Sequence, residues 1–250
     1  MVKPVKKSNL RRQVADQLFD AIVRGEFRPG ERLVEWRLAR AFGVAQSTLR
    51  ESLMELEHKG LVVRKPGHGT FVTKLTIREI EDIYAVRIQL EPYAASLACQ
   101  RMTEQDHARL RSLVDEITAA GQRGDAPGVS NADARFHRMI WELSGNDFLN
   151  RLLLLAYQPL WAFELIRLYS APTYEFSRTV REHEELLSVL GRGDGEEVRR
   201  AFQDMLQLFC IQDLENLRAV EALDRIPSGD ASSNKAGEQP GGPALTPGPR

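Results

Sequence analysis

The chain has 250 residues, 42% of them hydrophobic, enough for one large domain or two ordinary ones with true cores. Its net charge of −1 hides a split: residues 1–75 hold fifteen Lys and Arg against eight Asp and Glu, whereas the remainder holds 19 against 27, or +7 against −8. A basic front on an acidic body points to a polyanionic partner for the front alone; no apolar run reaches the ~18 residues of a membrane-spanning helix.

In chain order, residues 9–24 place Leu10, Val14, Leu18, Ile22 and Val23 near a 3.6-residue period, with Asn9 as a candidate N-cap. Pro29 and Gly30 break that pattern. Two short helical patterns follow, near 34–42 and 45–59, joined at Gly43-Val44 and closed at Gly60. Two β-type runs, 61–65 and 70–73, flank a PGHG turn. Helix, helix, turn, helix and hairpin is the order of a winged helix-turn-helix. Thr76 and Glu79 then have the spacing of a capping box. Six helices and no strands are predicted beyond it, over 76–100, 103–122, 125–144, 146–170, 172–190 and 194–223. Pro92 and Pro159 fall inside helical patterns, where kinks or early ends are expected. The Pro-, Gly- and Ser-rich stretch 226–250 is predicted to be a disordered tail. The expected fold class is mainly α: a DNA-binding domain over 1–75, a helical effector-binding and dimerisation domain over 76–225, and the tail. Cys99 and Cys210 lie on separate helical patterns, so no disulfide framework is expected. With no apolar segment after the basic N-terminus to make a signal peptide, the chain is expected to be cytoplasmic.

The segment 29–72 carries the sharpest signal. Gly43-Val44 supplies a tight turn, and Leu38, Phe42, Leu49, Leu53 and Leu56 supply an apolar face on each side of it. Gln46, Ser47, Thr48 and Arg50 crowd the start of the second helix. Amide, hydroxyl and guanidinium groups there can reach base edges and phosphates in a major groove. The wing turn, with Gly67 and His68, is small enough to approach a sugar-phosphate chain. Arg11, Arg12, Lys6 and Lys7 are weaker phosphate candidates.

These residues resemble the winged helix of the GntR family of bacterial transcription regulators. The likeness rests on PG-x-x-L, LA-x-x-x-GV, T-L-R-E-x-L, L-x-x-x-GL-V and G-x-G-T-x-V, as they stand over about 60 residues. The helical remainder resembles the FCD effector-binding domain of the FadR-like branch. Three positions depart from the family pattern. Ala45 stands where Ser or Thr is usual and loses a capping hydroxyl worth roughly 1 kcal/mol. Gln46 stands where Arg is usual, which predicts an operator with adenine rather than guanine at that base. Trp36 stands where some relatives place a DNA-contacting Arg, and Arg37 is its neighbour.

The segment DARFHRMIWEL, 133–143, sets Asp133 and His137 one helical turn apart within an apolar stripe. Such a pair is commonly a surface salt bridge or a satisfied core pair. The FCD resemblance implies another role, as two ligands of a divalent metal, with His183 as a third and an expected fourth His replaced here by Met205. One carboxylate and imidazoles suit Zn²⁺, Ni²⁺ or Mn²⁺. If the metal is lost, Asp133 and His137 would bind an organic effector or each other. Arg87 is expected either to hold an effector carboxylate bidentately or to form a surface ion pair with Glu91. Tyr84, Tyr157 and Trp161 are expected to fill the core, and His58 and His107 to lie at the surface. The resemblance thus implies a regulator that binds a double-stranded operator as a homodimer under control of a small carboxylate effector. The rival from another class is a metal-dependent hydrolase built on Asp133, His137 and His183.

Overall fold

The computed structural model describes residues 10–170 and 176–224. The candidate cap Asn9, Lys6, Lys7, the expected helix start at 172 and the tail lie outside the described residues.

The winged domain runs α1 (Leu10–Val23), β1 (Arg32–Leu33), α2 (Glu35–Phe42), α3 (Gln46–His58), β2 (Val62–Lys65) and β3 (Gly69–Val72). The hairpin is as predicted, with Val62 opposite Val72 and Arg64 opposite Thr70. The addition is β1, which pairs antiparallel with β3 to give the order β1-β3-β2. Two residues are too few to show an alternating pattern, so this strand exists only because β3 offers it a partner edge. Between α2 and α3, Gly43 takes a left-handed conformation (φ 65°) and returns its N–H to Ala39 and Arg40 carbonyls. That closes α2 and turns the chain into α3.

Among the described residues six further helices follow: α4 (Ile77–Cys99), α5 (Glu104–Gln122), α6 (Ala126–Leu143), α7 (Asp147–Ser170), α8 (Ser177–Arg192) and α9 (Gly195–Asp224). The capping box forms as read: Glu79 N–H donates to Thr76 Oγ1 at 3.2 Å and Thr76 N–H to Glu79 Oε2 at 2.8 Å. A second one, Thr103 with Asp106, starts α5. Neither proline ends its helix early: Pro92 lies inside α4 and Pro159 inside α7. The main core draws Ile80, Leu110, Phe136, Leu160, Leu187 and Phe202 from all six helices.

A second core joins the two halves. Leu18, Ile22, Leu49, Leu53, Leu56 and Val72 of the winged domain cluster with Ala162, Leu165 and Ile166 of α7. At the joint Gly60 has φ 77°, and a Cβ there would lie 2.5 Å from the Gln158 carbonyl oxygen. Only glycine permits so close an approach. The winged domain is therefore seated on α7 as well as tethered through residues 73–76.

Candidate functional site

The DNA-reading candidates are presented outward. Leu49, Leu53 and Leu56 are fully buried, so α3 turns Gln46, Ser47 and Arg50 to solvent, with Thr48 half-buried beside them. Ala45 caps α3 with extended backbone (φ −65°, ψ 147°) and no side-chain hydrogen bond, so the lost hydroxyl is a real vacancy in the capping scheme. Glu35 organises this face, although no motif marks it. Its Oε2 accepts from Arg50 Nε at 2.6 Å and, more weakly, from Gln46 Nε2 at 3.4 Å. Trp36 is 57% exposed, and the Arg37 guanidinium stacks 5.3 Å from its ring centre. Gly67 and His68 are exposed at the wing tip. Arg11 and Arg12 lie on α1 beside Glu55 and Asp16.

The helical domain does the reverse. α6 buries Phe136, His137, Ile140 and Trp141 along one stripe, and Asp133 sits on the same side one turn earlier. α8 brings His183 in, fully buried. Ligand atoms of Asp133, His137 and His183 all lie within 4.8 Å of one another. His183 Nε2 is 2.9 Å from Asp133 Oδ1, and His137 Nε2 is 3.7 Å from the same oxygen. Each imidazole is anchored at its other nitrogen. His183 Nδ1 lies 2.8 Å from the Thr179 carbonyl, and His137 Nδ1 lies 2.7 Å from Glu91 Oε1. Such anchoring fixes ring orientation and leaves both Nε2 atoms turned toward Asp133. Asp133 thus holds the His183 imidazole from the front as Thr179 holds it from behind.

Burial alone would raise the Asp133 carboxyl; the His183 and His137 imidazoles and the Tyr157 hydroxyl outweigh it and hold the group well below the usual range. The Tyr157 hydroxyl donates to Asp133 Oδ2 at 2.9 Å. Burial would lower His183, but Asp133 outweighs it and raises the imidazole.

Asp133 and His137 line a cavity of about 90 Å³, walled also by Tyr84 and Arg87 of α4, Tyr157, Glu164 and Arg167 of α7, and Asp213 of α9. Arg87 does pair with Glu91, at 3.1 Å, but the pair is buried, with side chains 4% and 0% exposed, not at the surface. Burial would raise Glu91; Arg87 first, then His137, pull it below its ordinary value. Tyr84 and Tyr157 are buried as expected, yet each also faces the cavity. Trp161 is half-buried, its indole N–H 3.4 Å from the Ser130 carbonyl. His58 is exposed, whereas His107 is half-buried with Nε2 3.3 Å from the Leu187 carbonyl. Met205 packs in the main core and is not among the residues lining the cavity. Sequence reasoning missed Glu91 as a partner of His137, and Glu164 and Asp213 altogether. The only signal was a carboxylate inside an otherwise apolar helical pattern.

A winged helix with an outward polar recognition helix, fused to a helical bundle, defines a DNA-binding transcription regulator. The comparisons sharpen this. The model for bacterial regulatory proteins of the gntR family matches residues 10–72, and that for the FCD domain matches residues 82–208. The HTH-type transcriptional regulator LutR of Bacillus subtilis (strain 168) is 30% identical over 203 residues, covering 72% of this chain and 90% of LutR. The HTH-type transcriptional regulator McbR of Escherichia coli (strain K12) is 26% identical over 211 residues, covering 81% and 92%. An uncharacterized regulator, YdhC of Bacillus subtilis (strain 168), is 33% identical over 142 residues; this chain spans 63% of it. The solved structure of E. coli McbR/YncC matches 87% of this chain and all of that one, with a TM-score of 0.66 at 25% identity. The chain belongs to the GntR family of bacterial regulatory proteins and carries an FCD domain. It is a transcription regulator and not an enzyme, so the hydrolase alternative falls. Among the described residues no helix is long and apolar enough to cross a membrane.

Proposed function

We propose that this regulator's operator affinity is set by a small organic acid bound in the cavity of the helical domain, and that it acts on double-stranded DNA as a homodimer in the cytoplasm. The observation that carries the reading is the double duty of α7. One set of its residues, Tyr157, Glu164 and Arg167, lines the cavity, while Ala162, Leu165 and Ile166 belong to the winged domain's core. A ligand that prefers one placement of α7 necessarily prefers one placement of the DNA-binding domain, which is what coupling between two sites requires.

In this reading Gln46, Ser47, Thr48 and Arg50 enter the major groove, and Arg37, Gly67 and His68 meet the flanking backbone. Breaking the Glu35 contacts frees Arg50 and Gln46 for bases. A homodimer reads two half-sites related by a two-fold axis. Exposed Phe148, Leu152 and Leu155 form an apolar stripe on α7 that suits a second copy.

Asp133, His137 and His183 fit a divalent transition metal. Their ligand atoms converge within 4.8 Å, and both imidazoles are oriented from behind. Zn²⁺, Ni²⁺ or Mn²⁺ held there by three ligands would keep open positions and supply a Lewis-acidic anchor for a carboxylate. Met205 contributes a thioether to the core rather than a fourth ligand. The residues' own part is to hold the acid's carboxylate at this end of the cavity while Tyr157 keeps Asp133 oriented.

The test uses the full chain with a fluorescent operator duplex. Titration with organic acids should change operator affinity at least fivefold in the wild type and not in Asp133→Ala, which still binds DNA. Equal responses from the two proteins, or no response from either across a broad panel, would overturn the reading.

A further inference from the structure

We propose that the effector is an amino-carboxylic acid, with its ammonium group seated on Glu164 and Asp213 and its carboxylate at the Asp133, His137 and His183 end of the cavity. This rests on the reading of the cavity as the effector site and adds the second half of the ligand.

The cavity has two chemically distinct ends. At one stand Asp133 and His137, with His183 behind them. At the other stand Glu164 of α7 and Asp213 of α9, whose carboxyl groups are hydrogen-bonded to each other. The Tyr84 hydroxyl donates to Asp213 Oδ2 at 2.6 Å, as the Tyr157 hydroxyl does to Asp133 Oδ2 at 2.9 Å. Between the ends lies Arg87, its guanidinium 5.2 Å from the Tyr84 ring centre and 4.9 Å from that of Tyr157. Its charge is already committed to buried Glu91.

The balance of charge decides the ligand class. Asp133, Glu164 and Asp213 line the cavity, and among the described residues the one lining Arg beyond the committed Arg87 is Arg167, set over the Phe163 ring. Glu164 and Asp213 share a proton and keep one negative charge between them, which a plain mono- or dicarboxylate would meet as like charge. An ammonium group brings three donors and a positive charge to those two carboxyls. Burial beside Asp213 pushes the Glu164 carboxyl well above the usual range, which is the cost an incoming cation relieves. At the opposite end the ligand atoms of Asp133, His137 and His183 lie within 4.8 Å of one another, and a metal held there would draw a carboxylate. Two ends of opposite demand in one cavity of about 90 Å³ call for one short molecule carrying both charges.

The experiment is calorimetric titration of the full-length protein, supplied with Zn²⁺, against matched pairs: 3-aminopropanoate and propanoate, 4-aminobutanoate and butanoate, 5-aminopentanoate and pentanoate, L-alanine and L-lactate. At least one amino member should bind tenfold or more tighter than its partner. Glu164→Gln should abolish that preference without weakening the unsubstituted acid, whose affinity should hold or rise. Tyr84→Phe, which removes a single hydroxyl from the Asp213 contact, should reduce the preference partway and serves if Glu164→Gln does not fold. Equal or tighter binding of the unsubstituted acid in every pair would overturn the amine and leave the organic-acid site standing. A preference that survives in both variants would also overturn it. No binding by either member of any pair would overturn both readings together.

Discussion

In the winged domain Arg37, Gln46 and Arg50 stand in solvent on a scaffold of buried leucines, whereas in the helical domain Arg87, Glu91, His137 and His183 are buried and lean on one another. Charge facing water costs little to keep and is free to meet a polyanion. Charge facing inward is stable only while each group has its partner. The same residue types thus serve recognition of a large surface in one half and enclosure of a small ligand in the other.

The comparison breaks most visibly at Glu91. Glu91→Ala leaves Arg87 buried without its counter-charge and removes the support behind His137, so a loss of about 3–5 kcal/mol is expected. At about 2–4 °C per kcal/mol for a chain of this size, the melting midpoint should fall by roughly 10 °C. A calorimetric scan showing less than ~3 °C would mean that the pair carries little of the inner charge network. Next in size is metal. Zn²⁺ at a hundredfold its dissociation constant should stabilise the wild type by about 2.7 kcal/mol, an effect reversed by chelator and absent in His183→Ala. Melting curves unaffected by metal would remove the metal from the proposal.

Arg50→Ala tests the outward half. Operator affinity should drop by about 1–3 kcal/mol, or roughly 5- to 150-fold, while the melting midpoint stays within a degree or two. Anisotropy with the duplex measures the first and calorimetry the second; a large melting shift would show that the Glu35 pair is structural. The smallest expected effect is a gain. Ala45→Ser supplies the missing cap to α3, whose backbone is already extended there, and should add roughly 0.5–1 kcal/mol. No rise in melting temperature would mean that water or neighbouring groups already satisfy those amides.

Much of this was legible from residue order. The 3.6-residue period of Leu49, Leu53 and Leu56, the Gly43-Val44 turn and the Thr76 capping box are local features, and each appears where the pattern puts it. Asp133 and His137 are one turn apart, so their shared face followed from helix geometry alone. Their convergence with His183, 46 residues further on, came from family likeness rather than from spacing.

Local sequence determined the helices and the wing hairpin, because helix and turn preferences depend on neighbours within about four residues, whereas β1 needed the edge of β3. It also determined the outward recognition face, which opposes an apolar stripe on the same helix. Tertiary structure alone decided what the inner polar groups are for. The Tyr84–Asp213 bond spans 129 positions, and Glu91, Glu164 and Asp213 reach the site from three different helices. It also decided that α7 serves both the cavity and the winged domain's core. Which face of one helix meets which face of another depends on how all six pack. A carboxylate buried against an imidazole shows in the sequence only as a polar residue interrupting an apolar stripe.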